Sequence, residues 1–437
     1  MCKQALMNAV RGGHVDAVKV LLASWEEFEL GKDWYFNHYG KHSPYDFDEL
    51  EALEEAVKGE EKEIIGVICE KTEDPRELFN WAVEQDNLQV FQCVYQFHGE
   101  DEMENVFRAM IDAAGRGCLE IVKFVMEECG AELAELYECD LLFRCPLVTA
   151  IEEGKRNIVD YLYEHNGYKD ASFISALCAA AWSGSLELVE MFFGKHGFDA
   201  AALDRAFASA ARGGHLEIVR HLQSLQKFEQ AAIDEAFVSA VSGAQMEALE
   251  YLCAIEGYTI SAASLDEAFQ NAAGSLQLDM LKHLDSKGGI SRRAINSAFE
   301  CAAIESGILS ERRDVQVRVL EFLVNKGGVS PEAIDAGFSD ATLRCRLDVV
   351  ELLYSKGSIS PKLVNKAFQE AAKHNCAEVV RFLYKTDLVS PKSVEKAFIQ
   401  LRIRRRPDVA GQSLAQALFE RAPSSGVTLF EAKGAHF

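Results

Sequence analysis

The hydrophobic and polar positions of this chain repeat with a period of about 30 residues. In the clearest copy, Phe207 and the pair Ala210-Ala211 have the spacing of one helical face, and the pattern breaks at Gly213-Gly214. A second apolar stripe with helical spacing then covers residues 216–222. Each period therefore predicts two short helices joined by a tight turn. Such a pair is too small to bury its apolar face alone, so it must stack on its neighbours.

The copies keep a nearly constant phase along the chain. Their marker phenylalanines are spaced by 30, 32, 30, 39, 30 and 30 residues and stand at Phe207, Phe237, Phe269, Phe299, Phe338, Phe368 and Phe398. An insertion at about residues 304–316 accounts for the spacing of 39. With weaker copies upstream, about twelve units cover nearly the whole chain. We expect an all-α repeat solenoid over residues 1–422 and a flexible tail over residues 423–437.

Ser-Pro pairs mark the start of three predicted first helices. They stand 30 residues apart, with serines at Ser330, Ser360 and Ser390. Serine is a favoured N-cap because its hydroxyl accepts a free backbone N–H, and proline fits the first helical position because its ring fixes φ. The pattern predicts helices that begin at the following prolines.

The turn and the second helix together carry a family signature. The segment Ala210–Val219 is Ala-Ala-Arg-Gly-Gly-His-Leu-Glu-Ile-Val, and the segment Ala9–Val18 is Ala-Val-Arg-Gly-Gly-His-Val-Asp-Ala-Val. Both resemble the ankyrin repeat, whose units are usually about 33 residues long and start with Thr-Pro-Leu-His. Because that start is absent here, the resemblance implies reduced β-hairpin fingers, as in the expanded ankyrin arrays of oomycetes and other protists. Tetratricopeptide repeats are the alternative fold, but their markers do not recur at a fixed phase.

Charge and cysteine content narrow the classes of partner. The chain has 45 Lys+Arg and 69 Asp+Glu, a net charge of −24, which disfavours nucleic acid and anionic membranes as partners. Residues 46–104 alone hold 19 acidic and 4 basic residues, which favours a basic partner protein. The chain has no stretch of apolar residues long enough to span a membrane, and its first residues do not have the pattern expected of a signal peptide. Its 12 cysteines include no Cys-x-x-Cys pair, so we expect reduced thiols in the cytoplasm or nucleus.

Motifs for catalysis or metal binding are missing. The sequence contains no Gly-rich phosphate loop, no Gly-x-Ser-x-Gly and no His-Glu-x-x-His. The pairs His38/His42 and Cys139/Cys145 lack the further ligands that a zinc site needs. We therefore predict neither an enzyme nor a cofactor or metal site.

Two regions are candidates for partner binding. In ankyrin-like arrays the first helices line a concave groove, and positions two and five after the marker Phe point away from the packed side. The residues predicted to bind there are Ser209, Arg212, Ser239, Ser242, Asn271, Asp340, Glu370 and Lys373. The second candidate is an aromatic insertion at about residues 24–48, represented by Trp25, Trp34 and Tyr35, because aromatic residues are enriched at binding hot spots. The alternative is that this insertion covers the open end of the array.

The sequence as a whole favours a non-catalytic protein–protein interaction scaffold. The alternative is an adaptor or host-directed effector that recruits a target protein to other machinery. The first unit begins near Leu6 with an incomplete first helix and no capping repeat. We expect either a longer gene product or another element that covers this end. Oligomeric state and partner identity leave no signature in a repeat of this kind.

Overall fold

A computed structural model describes residues 2–29, 49–72, 74–136, 145–165, 170–195, 197–304, 312–357 and 359–403. These residues form 25 α-helices, and no strand is found among them. Odd-numbered helices are the first helices of successive units, and even-numbered helices are the second. The predicted all-α repeat architecture is thus confirmed. Within this described part, no helix is both long and apolar enough to cross a membrane.

The chain divides into two compact blocks, an N-terminal block of Met1–Ala206 and a C-terminal block of Phe207–Phe437. The helices of the N-terminal block are α1 Cys2–Arg11, α2 Val15–Glu29, α3 Glu49–Lys58, α4 Lys62–Lys71, α5 Pro75–Glu84, α6 Leu88–His98, α7 Met103–Arg116, α8 Leu119–Leu136, α9 Pro146–Glu152, α10 Arg156–His165, α11 Asp170–Ser183 and α12 Leu186–Lys195. Helix α13, Ala200–Gly213, contains the boundary between the blocks.

The C-terminal block continues with the same alternation. Its helices are α14 Leu216–Leu225, α15 Gln230–Ser242, α16 Met246–Cys253, α17 Ala262–Gly274, α18 Leu278–Lys287, α19 Arg292–Ile304, α20 Arg313–Lys326, α21 Pro331–Leu343, α22 Leu347–Lys356, α23 Pro361–Lys373, α24 Ala377–Tyr384 and α25 Pro391–Ile403. Inside each block, first helices contact the first helices of neighbouring units as well as the second helix of their own unit.

The marker side chains form the centre of the core. All described marker phenylalanines are fully buried: Phe207, Phe237, Phe269, Phe299, Phe338 and Phe368. In the N-terminal block the aligned positions are also buried, and they are occupied by Leu6, Leu53, Phe79, Met110, Leu147 and Leu177. These positions accept different apolar residues because the interior is close-packed and apolar. A polar side chain there would lose its hydrogen bonds to water. The marker positions are the constant frame of the array.

One backbone hydrogen bond recurs at the turn of each regular unit. The N–H of the residue before the second helix donates to the carbonyl of the first Ala in the Ala pair, as from His215 to Ala210 at 3.0 Å and from Gln245 to Ala240 at 2.8 Å. The residue directly before the donor adopts a left-handed backbone conformation, with φ of 80° at Gly214. Glycine adopts this conformation without steric cost, which explains the glycine-rich turn of the sequence.

The predicted helix starts are confirmed. The Ser330 hydroxyl accepts the N–H of Ala333 at 3.1 Å, and the Ser360 hydroxyl accepts the N–H of Leu363 at 3.2 Å. Proline follows each of these serines as the first helical residue. The Ser-Pro pairs therefore act as N-caps at the boundaries between units.

The insertion before α20 changes this turn. Helix α20 begins at Arg313, so Gln316, which aligns with the residue before the second helix in other units, lies inside the helix. Gln316 is 2% exposed, and its side-chain Nε2 donates to the carbonyl of Ala302 at 2.7 Å. Its Oε1 accepts from Nη1 of Arg346 at 2.6 Å, and Arg346 also pairs with Asp348 at 2.8 Å. A side chain thus replaces the backbone donor of the other units.

Cysteine chemistry differs from the expectation at one place. Cys345 and Cys376 are joined by a disulfide, so the prediction of reduced thiols is wrong for this pair. The reason is spatial, because the two residues lie in adjacent turns although 31 residues separate them in sequence. Cys69, Cys93, Cys118, Cys253 and Cys301 are thiols outside any disulfide.

Several predicted features lie partly or wholly outside the described residues. Helix α2 continues to Glu29, so the start of the predicted aromatic insertion belongs to a helix rather than to a loop. Trp25 lies in α2, but its side chain is outside the described part, as are Trp34 and Tyr35. His38, His42 and Cys139 are likewise outside it, as is the predicted tail at 423–437.

Candidate functional site

The predicted binding residues lie in two rows along the first helices. We define the first row as the residues two positions after each marker and the second row as those five positions after it. In the C-terminal block the first row is Ser209, Ser239, Asn271, Cys301, Asp340 and Glu370, and the second row is Arg212, Ser242, Gly274, Leu343 and Lys373. First-row residues are half-buried except for the exposed Cys301, and second-row residues are exposed except for the half-buried Gly274. A partner would meet the second row first.

Neighbouring units meet along these rows. Asn271 Nδ2 of the first row donates to Ser242 Oγ, a second-row atom of the preceding unit, at 3.4 Å. In the N-terminal block the same relation joins Arg11 Nε to Glu55 Oε2 at 2.9 Å. Because a second-row residue of one unit touches a first-row residue of the next, each block presents its rows as one continuous surface. We call this surface the first-helix face.

Some charged residues of the first-helix face pair with a residue three or four positions away in the same unit. Arg344 Nε lies 2.7 Å from Asp340 Oδ2, and Lys373 Nζ lies 3.3 Å from Glu370 Oε2. Exposed pairs at this spacing contribute only about 0.3–0.5 kcal/mol each. These side chains can therefore leave their ion pairs and pair with a partner instead at little cost in stability.

The structure adds Trp182 to the candidate residues. Trp182 is 46% exposed and stands in the second row, five residues after the buried Leu177. Large aromatic side chains at this exposure are favoured as interaction anchors. Sequence reasoning missed it because the marker of this unit is Leu rather than Phe, although Ala180-Ala181 and Gly184 keep the phase. Leu343, also in the second row, is 44% exposed.

The two blocks differ sharply in charge. Residues 1–206 contain 18 basic and 41 acidic residues, a net charge of −23, whereas residues 207–437 contain 27 basic and 28 acidic residues, a net charge of −1. On the N-terminal first-helix face, hydrogen bonds from Arg11 and Lys58 lower the pKa of Glu55. Glu84, Asp112 and Glu152 add carboxylates to the same two rows. Carboxylates therefore stand in both rows of this face.

No catalytic arrangement accompanies these rows in the described part of the chain. No group of three or more His, Cys, Asp or Glu is placed there to hold a metal ion. A cavity of about 390 Å³ lies at the starts of α5 and α7, but its two arginines already pair with carboxylates, Arg76 with Asp74 at 3.2 Å and Arg108 with Glu104 at 2.9 Å. The other lining residues are Asp101, Glu102 and Asn105.

The stacked helix pairs, with the polar face of their first helices, identify the chain as a helical repeat protein. Within it, residues 110–204, from α7 into α13, match the family model of ankyrin repeats (3 copies). Residues 110–204 therefore carry ankyrin repeats, which agrees with the resemblance drawn from the turn signature. Ankyrin repeats are generally protein–protein interaction modules and typically non-catalytic. No curated protein matches the chain.

Proposed function

We propose that this protein is a non-catalytic scaffold that binds a partner protein along its first-helix face. The observation that carries the proposal is the contrast between a constant buried frame and a variable exposed surface on the same helices. Every described marker position is buried, whereas the second row changes from Arg212 to Ser242, Leu343 and Lys373. The buried core does not account for this variation in the second row. Variation on a fixed frame is how repeat proteins acquire distinct binding surfaces.

The partner proposed for the N-terminal block is a basic segment of a protein. The net charge of −23 on residues 1–206 would attract a cationic surface and speed its association. Trp182 offers an aromatic ring, over which a lysine or arginine of the partner would gain a cation–π interaction. Glu152, the second-row residue of the preceding unit, supplies a carboxylate on the same face. Nucleic acid and anionic membranes remain poor partners for such a surface.

The test uses the full chain and a partner identified by capture from the source cell. Binding of the purified pair is measured by titration calorimetry for the parent and for two variants. One is Trp182→Ala, and the other carries alanine at Ser209, Arg212, Ser239, Ser242, Asn271, Asp340, Glu370 and Lys373. Loss of a hot-spot side chain costs at least about 2 kcal/mol, so we expect affinity to fall about 30-fold or more with at least one variant.

A matched control separates the first-helix face from the opposite side of the array. It replaces exposed residues of the second helices, Glu217, Arg220, Glu247 and Glu250, by alanine. We expect this control to bind like the parent, and circular dichroism to show unchanged helix content in all variants. If the control loses binding while both first-helix variants keep it, the proposed binding face is wrong.

A further inference from the structure

We propose that Cys345 and Cys376 are a reversible thiol–disulfide exchange site, which locks two neighbouring repeat units together when it is oxidised. The site links the unit formed by α21 and α22 to the unit formed by α23 and α24. Its co-reactant is a low-molecular-weight thiol or disulfide of the glutathione class. This inference is independent of the partner and the binding face proposed above.

The two cysteines occupy defined positions of the repeat. Cys345 is the left-handed residue of the turn after α21, with φ of 57°. Cys376 is the residue immediately before α24, and its N–H donates to the carbonyl of Ala371 in the recurrent turn bond at 2.9 Å. Their Cα atoms lie 4.9 Å apart, within the range that a disulfide requires.

Other units show that this proximity belongs to the repeat itself. A Cβ added to Gly214, the turn residue of its unit, would collide with the side chain of Gln245, which precedes the second helix of the next unit. A Cβ on Gly13 would lie 2.8 Å from Oε1 of Glu61 in the same relation. The turn residue of one unit therefore faces the residue before the second helix of the next. Among the described turns, cysteine fills both positions only at Cys345 and Cys376.

The two cysteine residues differ in their exposure to solvent. Cys345 is exposed, whereas Cys376 is 3% exposed. A small thiolate can therefore attack the sulfur of Cys345, which breaks the disulfide and releases Cys376 as the leaving thiolate. A second small thiolate then attacks the small-molecule sulfur of the mixed disulfide, which forms the small-molecule disulfide and releases Cys345 as a thiolate. The net reaction consumes two small thiols and forms two protein thiols and one small-molecule disulfide. Each protein thiolate takes up a proton.

The reduced form also has a place for its buried thiol. Cys376 Sγ lies 3.5 Å from the carbonyl oxygen of Thr342, a fully buried residue near the end of α21. The protonated thiol can donate to this carbonyl without rearrangement of either helix. Both redox states are therefore compatible with the packed array, as a reversible site requires.

Oxidation is expected to stabilise one interface of the array. Each unit of a linear repeat array is held only by its neighbours, so local opening of a unit breaks few contacts. The disulfide closes a loop that contains α22 and α23 and ties the start of α24 to the preceding turn, so it limits the open states of the unit formed by α23 and α24. Reduction should then raise opening of α23 and α24 without unfolding the chain.

The experiment equilibrates the full purified chain in glutathione buffers from oxidising to reducing. Free thiols are blocked by alkylation, and non-reducing digestion with mass spectrometry reports whether Cys345 and Cys376 are linked. We expect the linked peptide under oxidising conditions and two alkylated peptides under reducing ones. Hydrogen exchange of α23 and α24 should be slower by about 30-fold or more in the linked form.

Variants make the result specific. Cys345→Ser, at an exposed position, should remove the redox dependence of exchange in α23 and α24, and Cys376→Ser provides the same test from the buried side. Cys301→Ser, an exposed cysteine of α19 outside the turn, should leave that dependence unchanged. The proposal is overturned if the two cysteines never link, if the link persists in the most reducing buffer, or if exchange is equal in both forms.

Discussion

The side chain of Gln316 takes over a hydrogen bond that the backbone makes in other units, and replacing it tests this account of the insertion. Gln316→Met keeps the length of the side chain but removes both the amide donor and the carbonyl acceptor. The carbonyl of Ala302 then loses the donor at 2.7 Å, and Arg346 loses the acceptor at 2.6 Å. Both groups stay in a largely buried setting, since Ala302 is fully buried and the Arg346 side chain is 13% exposed.

The expected cost follows from these two losses. A buried carbonyl without a donor costs about 1–3 kcal/mol, and a bond to a charged group contributes about 1.5–3 kcal/mol. Arg346 keeps its two bonds to Asp348, which reduces the second loss. Burial of the methionine side chain returns about 1 kcal/mol. We expect a net destabilisation of about 2–4 kcal/mol, or about 30- to 1,000-fold in an opening equilibrium.

Hydrogen exchange measured under native conditions is the appropriate assay, because a long repeat array need not unfold in one step. Protection of α19 and α20 should fall by the predicted factor in Gln316→Met. The matched control is Gln92→Met, the same replacement at an exposed position of α6, for which we expect a change within about 0.5 kcal/mol. If protection of α19 and α20 is the same in both variants, the bond to Ala302 does not stabilise the insertion.

Two further predictions concern backbone conformation and thiol reactivity. Ala244 has φ of 59°, a conformation that costs a non-glycine residue about 1–2 kcal/mol, so Ala244→Gly should stabilise the protein by about 0.5–1 kcal/mol. Ala336→Gly, in the middle of α21, should destabilise it by a similar amount of about 0.5–1 kcal/mol in urea unfolding, and equal signs would contradict the assignment. A hydrogen bond between Cys69 and Cys93, with burial, raises the pKa of Cys69, while the same bond lowers the pKa of Cys93. Iodoacetamide should therefore modify Cys93 before Cys69 in the native protein, at a rate that falls as pH drops through the lowered pKa. Mass spectrometry after timed labelling checks the order, and faster labelling of Cys69 would refute it.

Most of the fold could be predicted from residues whose role is local. The marker Phe207 and the Ala pair fix the packed face of a first helix, and Ser330 and Ser360 define where helices begin. Each of these signals depends on a few neighbouring residues in one unit. Local hydrogen bonds and helical spacing are visible in a sequence, so these predictions are confirmed.

The features that were missed depend on relations between units or on a changed marker. Periodicity inside a unit does not show that Cys345 faces Cys376, because that needs the contact between one turn and the next. The role of Gln316 was hidden by the preceding insertion, which shifts the start of α20. Trp182 has the phase of a second-row residue, but the marker position of its unit is Leu177 and not Phe. On the first-helix face, the predicted first-row residues are half-buried and the predicted second-row residues Arg212, Ser242 and Lys373 are exposed. The part of both rows in binding stays a prediction.

The packing of each turn against the next unit also limits how this array can evolve. A larger residue at Gly214 would displace the end of the Gln245 side chain, which already fills the space, and would also be strained at φ of 80°. Substitutions at such pairs should be non-additive, because the two side chains share one space. Duplication or exchange of a single unit therefore places two residues that did not evolve together next to each other at each new junction. Units that recombine successfully should be those whose turn and pre-helix residues are compatible in size.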